Sequence, residues 1–333
     1  MGGAVLLVVS VILGGGCGGS SPEVTNPAAS RPATMTGATL ILDFVPNAVH
    51  AGIYRALAAG YYRQGNVDLR VIQPASTADT LRLIDAGKAD FGIADGADVA
   101  DQIDRGRDAQ AVMALVQRPL GGLITLQKEG LGSPRQLEGR AVGLTGVPSD
   151  SAVLDTVVRD AGGDPKKVQT VTIGFNGVQD LEAGKVAGFT GFWPADGVQV
   201  QTDGFPTTTF KLDDYGGPAY PGLVLFSTRG RLAANPPLAR ALVRATVRGY
   251  GDTLADPERS LQDLLARNRS LQRGPAEASL RAYLALFQGD APSFGEVRAD
   301  RVRQLTAWLL RYRLIRRTIS PSRYATGAFL PSA

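Results

Sequence analysis

This chain has one cysteine, Cys17, and one histidine, His50, in 333 residues. A single cysteine excludes an intrachain disulfide and every Cys-based metal cluster. A single histidine excludes His clusters, and with no second cysteine there is no Cys–His nucleophile pair in the folded region. No Gly-x-x-x-x-Gly-Lys-[Ser/Thr] loop, His-Glu-x-x-His helix or Gly-x-Ser-x-Gly elbow occurs. No candidate catalytic residue or metal set stands out, and no cofactor is expected. The apolar run at residues 4–13 is too short to span a bilayer. Net charge is small, +4, but unevenly spread. From Arg229 onward there are 18 Arg and no Lys against 8 Asp or Glu, which leaves 17 basic and 23 acidic residues upstream. A basic stripe can serve nucleic acid. These arginines are instead spaced along amphipathic helical patterns without aromatic platforms, which reads as solvated helix faces. No nucleic-acid partner is expected, and the chain reads as a monomer.

What is present is the composition of a globular protein, 44% hydrophobic and 20% charged, with length enough for two ordinary lobes. The first residues read apart from the fold. An apolar h-region leads to Gly14-Gly15-Gly16-Cys17. A cysteine at that point resembles a bacterial lipoprotein signal, which implies lipidation of Cys17 and an extracytoplasmic, membrane-anchored product. Two departures are that no Lys or Arg precedes the run and that Gly14 stands where Leu is usual. Residues 18–36 are rich in Gly, Ser, Pro and Thr and read as a flexible tether. The expected organisation is a signal peptide at 1–16, a tether at 17–37, a first lobe at 38–120 and 226–333, and a second lobe at 121–225.

Strand and helix patterns then alternate, which predicts an α/β fold of two doubly wound lobes. Strands are predicted over 40–43, 67–72, 89–94 and 109–117 in the first lobe. In the second they fall over 123–127, 140–144, 168–173 and 187–192. A strand near 223–227 returns the chain to the first lobe, and four helical patterns follow from residue 236. Trp308 and Leu309 are expected to pack on the first lobe. The stretch from Leu40 to Tyr54 organises the rest. Its strand ends at Asp43, Pro46 and Asn47 make a turn, and a helix runs from Ala51 to Ala59, closed by Gly60. Asp43, Phe44, Asn47 and His50 therefore sit on a strand-to-helix loop, the place where α/β proteins hold small ligands.

The blocks Leu42-Asp43-Phe44-Val45-Pro46-Asn47, His50-Ala51-Gly52-Ile53-Tyr54 and Gly60-Tyr61-Tyr62 resemble the thiamine-pyrimidine synthase-like family of binding proteins. So do Leu83-Ile84-Asp85-Ala86-Gly87-Lys88-Ala89-Asp90-Phe91-Gly92 and, in the second lobe, Gly143-Leu144-Thr145-Gly146 and the block from Leu181 to Gly188. The resemblance covers residues 39–227 and implies a periplasmic-binding-protein type II fold with ligand between the lobes, joined by a hinge. It implies a lipoprotein that passes a thiamine-precursor pyrimidine to an ABC permease. A related branch binds riboflavin. The fungal branch is a cytoplasmic, iron-dependent enzyme that makes the pyrimidine from its own histidine and pyridoxal phosphate. That branch carries a cysteine-rich block where this chain has residues 215–222 and no cysteine, which argues against the synthase.

A flat aminopyrimidine or flavin needs aromatic faces and a few fixed polar groups. Phe44 and Trp193 are candidates to sandwich the ring from opposite lobes, with Tyr54, Tyr215 and Tyr220 adding faces or hydroxyls. Asp43 and Asp196 suit an exocyclic amine or protonated ring nitrogen, and Asp95 and Asp98, at the end of the third strand, are placed to line the cleft. Asn47 and His50 offer further hydrogen bonds. Thr145, Ser149 and Ser151, at a helix N-terminus, suit an oxygen-rich or anionic tail. Each has a second reading. Asp43, Asn47 and Asp98 equally suit helix caps, His50 a structural histidine, Trp193 a hinge or core residue, and Tyr215 and Tyr220 a surface loop. Other ligands open on this evidence are another aromatic heterocycle, an alkanesulfonate or a nitrate-type anion.

Overall fold

The computed structural model describes residues 1–3, 35–76 and 78–331. The expected leader, Cys17 and most of the tether lie outside the described residues. Among the described residues, ten strands form two five-stranded mixed sheets. The first contains β1 (Thr36–Ile41), β2 (Val67–Ile72), β3 (Phe91–Asp95), β4 (Ala109–Val116) and β10 (Leu223–Thr228), in the order β2-β1-β3-β10-β4. The second contains β5 (Gly121–Leu126), β6 (Ala141–Leu144), β7 (Gln169–Thr172), β8 (Gly188–Phe192) and β9 (Thr207–Lys211), in the order β7-β6-β8-β5-β9. β1 runs parallel to β2 and β3, and β6 parallel to β7 and β8. In each sheet the fourth strand is antiparallel to both neighbours: β10 in the first, β5 in the second. Each of these is the first strand laid down after the chain crosses from the other lobe. The topology is thus repeated, with one strand of each sheet supplied by the crossing.

β1 begins at Thr36, ahead of the expected lobe boundary, because Thr36 and Gly37 pair with Val67 and Asp68 of β2. β9 has no counterpart in the sequence reading. Its run Thr-Thr-Thr-Phe-Lys is β-branched and therefore strand-forming, but too polar to register as a buried strand.

Three apolar clusters hold the molecule together. One packs on the first sheet and another on the second. The third contains Ile41, Val99 and Trp308 of the first lobe together with Leu123, Val142 and Val153 of the second, so the apolar core is continuous across the hinge. Helices Pro236–Ala255, Pro257–Arg267 and Arg273–Gln288 cover the first sheet. Trp308, on helix Ala299–Arg311, does more than pack on the first lobe. Its Nε1 donates to Thr156 Oγ1 of helix Pro148–Asp160 in the second lobe, at 2.9 Å, and its ring stacks on Tyr220 at 5.7 Å.

The two crossing segments, residues 117–120 and 212–222, run against each other. Arg118 forms an ion pair with Asp213. A Cβ at Gly222 would overlap the Arg118 carbonyl oxygen, so only glycine permits this approach. No helix among the described residues is long and apolar enough to cross a membrane.

Candidate functional site

The cavity lies between the lobes, at the C-terminal ends of β1 and β3 on one side and of β6 and β8 on the other. It encloses about 80 Å³. Among the described residues its walls carry five carboxyl side chains, Asp43, Asp95, Asp98, Asp150 and Asp196, and no Lys or Arg. The remaining lining is largely apolar or hydroxyl-bearing, with Phe44, Leu81, Ile93, Val153 and Phe192 beside Thr80, Thr145 and Thr190.

Asp43 is held from behind. The Asn47 N–H donates to His50 Nδ1 at 3.1 Å, so that nitrogen bears no proton. The hydrogen-bond network therefore assigns the proton to Nε2, which lies 2.8 Å from Asp43 Oδ1 and donates to it. Asn47 Oδ1 in turn accepts from Val49 N at 3.0 Å, completing a capping box. The Pro-Asn-x-x-His block is thus a local device in which the histidine orients the aspartate. His50 is fully buried and both its ring nitrogens are engaged, so it reaches the cavity only through Asp43.

Asp95 ends β3 and caps helix Gly96–Asp104, accepting from Ala97 N at 2.7 Å. Tyr220 Oη lies 3.4 Å from its other oxygen. Burial raises the Asp95 pKa to about 7, and the Asp150 and Asp43 charges add to the shift. Asp98, one helical turn on, reaches across the cleft and accepts from Ser149 N at 2.9 Å and Ser149 Oγ at 3.1 Å. Burial and then the Asp95 charge push it well above the usual carboxylate range. Asp196 accepts from Phe192 N at 2.8 Å, and burial raises its pKa to about 6.

Asp150 is different. Its Oδ2 accepts from Gly146 N, Val147 N and Thr145 Oγ1, and its Oδ1 from Thr190 Oγ1 at 2.7 Å. The helix begins at Pro148, three residues earlier than the pattern predicted, and these acceptors satisfy the N–H groups of its approach. The expectation of an anion at this helix N-terminus is therefore corrected. Asp150 and Asp98 already take the Gly146, Val147 and Ser149 N–H groups there.

Of the residues singled out in the sequence, Asp43, Phe44, Asn47, Asp95, Thr145, Ser149 and Asp196 line the cavity. Tyr220 stands behind Asp95 as His50 stands behind Asp43. The others are elsewhere. Tyr54 is buried beside Asn268 and Arg267, on the far side of its helix. Ser151 is exposed, because the early helix start turns it outward. Trp193 lies beneath Lys211, with Nζ 3.9 Å from the ring centroid, while its neighbour Phe192 faces the cavity. Successive side chains leaving a strand point to opposite faces, and the sequence does not say which. Tyr215 packs edge-on to Phe210 at 5.9 Å, off the cavity. Phe44 meets not Trp193 but Phe175, at 4.5 Å and 73°. Asp150, Thr190, Phe192 and Phe175 were not expected at the site. Asp98 carried a signal, three residues after Asp95 and so on the same helix face.

A carboxyl group buried without a cation nearby keeps its proton or seeks a cationic partner. With pKa values near 6 and 7, Asp196 and Asp95 each exist in both forms near neutrality. They can donate to a ring nitrogen or accept from an amine. The cavity thus suits a small molecule with hydrogen-bond donors or a weakly basic group.

Residues 47–260 match the family described as NMT1/THI5 like. The chain is 28% identical over 290 residues to a formylaminopyrimidine-binding protein of Halalkalibacterium halodurans, covering 86% of this chain and 88% of that one. It is 25% identical to a 4-amino-5-hydroxymethyl-2-methylpyrimidine phosphate synthase of Legionella pneumophila, over 77% of this chain and 79% of that one. It is 29% identical to the riboflavin-binding protein RibY of Chloroflexus aurantiacus, over 72% and 71%. Among solved structures, the alkanesulfonate-binding protein SsuA of Xanthomonas axonopodis, bound to MOPS, superposes with a TM-score of 0.71 at 15% identity, over 89% of this chain and 99% of that one. The last likeness shows the two-lobed binding-protein fold, and the match over residues 47–260 places the chain in the NMT1/THI5-like family.

Proposed function

We propose that this protein is an extracytoplasmic solute-binding protein, anchored through Cys17, that captures a thiamine-precursor aminopyrimidine between its lobes and delivers it to an ABC permease. The observation that carries this reading is the convergence of Asp43, Asp95, Asp98 and Asp196 on a small cavity whose lining has no Lys or Arg. An aminopyrimidine presents an exocyclic amine beside a basic ring nitrogen. That pair matches a carboxyl group able to accept and to donate at once.

The same observation weighs against the alternatives. A sulfonate or nitrate would enter a field of buried carboxylates with no cation to meet it. The phosphate of pyridoxal phosphate fits no better, and His50, the one histidine available as a reagent, is walled off behind Asp43. The reading is therefore of binding and hinge closure without chemistry. A chamber of about 80 Å³ suits one ring better than three fused ones.

Native mass spectrometry and thermal-shift titration with 4-amino-5-aminomethyl-2-methylpyrimidine, its N-formyl derivative, riboflavin and MOPS test the ligand class. Stabilisation by the pyrimidines alone is expected. A yellow preparation, or stabilisation by MOPS and not by pyrimidines, would overturn the reading. Globomycin-sensitive acylation of Cys17, followed by mass spectrometry of the mature N-terminus, tests the anchor, and an unmodified cytosolic product would refute it.

A further inference from the structure

Residues 312–330 follow helix Ala299–Arg311 and lie beyond the stretch that matches the family, residues 47–260. They run as a strap along β4, the edge strand of the first sheet. Ala325 bridges to Ala111 in the parallel sense, and Thr326 N donates to Ala111 O at 3.0 Å. The Arg323 guanidinium donates to the carbonyls of Arg107 and Ala109 at 2.8 and 2.6 Å. Covering an edge strand needs no more than this. The strap also holds helix Gly96–Asp104, and it does so at both ends.

At the C-terminal end Arg316 donates three times to Asp104. Its main-chain N–H meets Oδ1 at 3.1 Å, its Nε meets Oδ2 at 3.0 Å, and a terminal guanidinium nitrogen meets the main-chain carbonyl at 3.0 Å. The last bond satisfies one of the carbonyls that a helix end leaves without a donor, and a cation there complements the helix dipole. At the N-terminal end Tyr324 is fully buried, and its Oη donates to Gly96 O at 3.0 Å. The approach is close. A Cβ at Gly96 would stand 2.8 Å from Tyr324 Oη and 2.4 Å from Pro221 O. Burial, and then the Asp95 and Asp98 charges, push the Tyr324 hydroxyl well above its ordinary range, so it stays a donor.

The helix held in this way carries two of the cavity's carboxyl groups. Asp95 is its cap and Asp98 lies in its first turn. Nine residues make a rod about 13 Å long, so fixing its two ends fixes where those carboxyl groups sit. A hydrogen bond from either to a ligand fails once its oxygen moves by about 1 Å. Neither Arg316 nor Tyr324 lines the cavity.

We infer that residues 312–330 belong to the binding machinery, with Tyr324 and Arg316 as positioning residues that set Asp95 and Asp98 against the ligand by holding helix Gly96–Asp104 at both ends. This rests on the proposed capture of an aminopyrimidine in the cavity and extends it to a part of the chain that touches no ligand. Asp43 supplies the comparison, because His50 holds it on the loop after β1.

The test is calorimetric titration with 4-amino-5-aminomethyl-2-methylpyrimidine. Tyr324→Phe is expected to weaken binding about fivefold, and Arg316→Ala about tenfold, with Arg316→Lys restoring part of that loss. Thermal melts establish that each variant is folded. Tyr324→Phe is then combined with Asp95→Ser, which keeps a helix cap and removes the carboxyl, and separately with Asp43→Asn. The fivefold loss is expected to persist beside Asp43→Asn and to shrink to less than about twofold beside Asp95→Ser. A general loosening of the fold would not distinguish the two backgrounds. Equal losses in both, or unchanged affinity in Tyr324→Phe and Arg316→Ala, overturns the positioning role while leaving the ring site standing. Failure of the wild type to bind the pyrimidine overturns the ring site, and the strap's role with it.

Discussion

The repeated topology places β1 and β6 at equivalent positions, and each is followed by an aspartate on the same cavity. Their circumstances differ. Asp150, after β6, accepts hydrogen bonds from four donors of its own lobe. Asp43, after β1, is held on one oxygen by His50. One carboxylate is spent on folding the loop, while the other is aimed by its loop at whatever enters. The same contrast separates Asp95 from Asp98. Asp95 has the weaker ties, a cap and a long contact to Tyr220, whereas Asp98 is tied across the cleft to Ser149. A carboxylate's neighbours, more than its place in the fold, decide whether it is structure or site.

Several measurements can break or sharpen this contrast. The largest effect is expected from Asp150→Ala, which strands donors of the loop and should lower the unfolding free energy by about 3 kcal/mol in urea titration. Asp43→Ala should cost less than half as much. Equal losses would erase the distinction. Next is pH. Asp95 and Asp196 have folded pKa values of about 7 and about 6, above their unfolded values near 3.8. Between those limits the folded state binds more protons than the unfolded one. The stability they contribute is full at low pH and is lost as pH rises through 6 to 7. The unliganded protein should therefore lose on the order of 4 kcal/mol between pH 5 and 8. Asp95→Asn should flatten that slope more than Asp196→Asn, and a slope of the opposite sign would sink the account.

Asp43→Asn and Asp95→Asn should each weaken aminopyrimidine binding by about thirtyfold, near 2 kcal/mol, with little change in melting. His50→Gln should weaken it by about tenfold, and adding it to Asp43→Asn should cost little more, because His50 acts through that carboxylate. Additive losses in that double mutant would mean that the imidazole touches ligand directly. The smallest effect is expected from Trp308→Phe, about 1 kcal/mol of stability from the lost bond to Thr156. A change in ligand affinity larger than the change in stability would show that this contact also governs closure.

Much of the fold was legible. Alternating apolar runs, capping residues and glycines after helices marked most of the strands and helices to within a few residues, because those signals are local. The exceptions have local causes too. β9 is polar, and helix Pro148–Asp160 starts at a proline, three residues before Ser151. Of the residues offered as caps, Asn47 is one, whereas Asp43 is not and the cap of helix Gly96–Asp104 is Asp95 rather than Asp98. Asn47 and Asp95 are caps as well as cavity residues, and a motif that looked like a ligand contact, Asn47 to His50, proves to be a capping box that orients Asp43.

By itself the sequence determined that there would be two α/β lobes, that strand-end loops carrying Asp43, Asp95, Thr145 and Asp196 would line the ground between them, and that no thiol or histidine cluster would be available for chemistry there. Only the tertiary structure decided which aromatic rings face the cavity, that Asp98 crosses to Ser149, that Trp308 bridges the lobes and that Asp150 fills the helix N-terminus reserved in the sequence reading for an anion. The physical reason is range. Caps, turns and hydrophobic periods act over a few residues. The burial of a charge and the removal of its counter-ions depend on segments fifty to two hundred residues apart meeting at one place, as in Asp98 with Ser149 and Trp308 with Thr156.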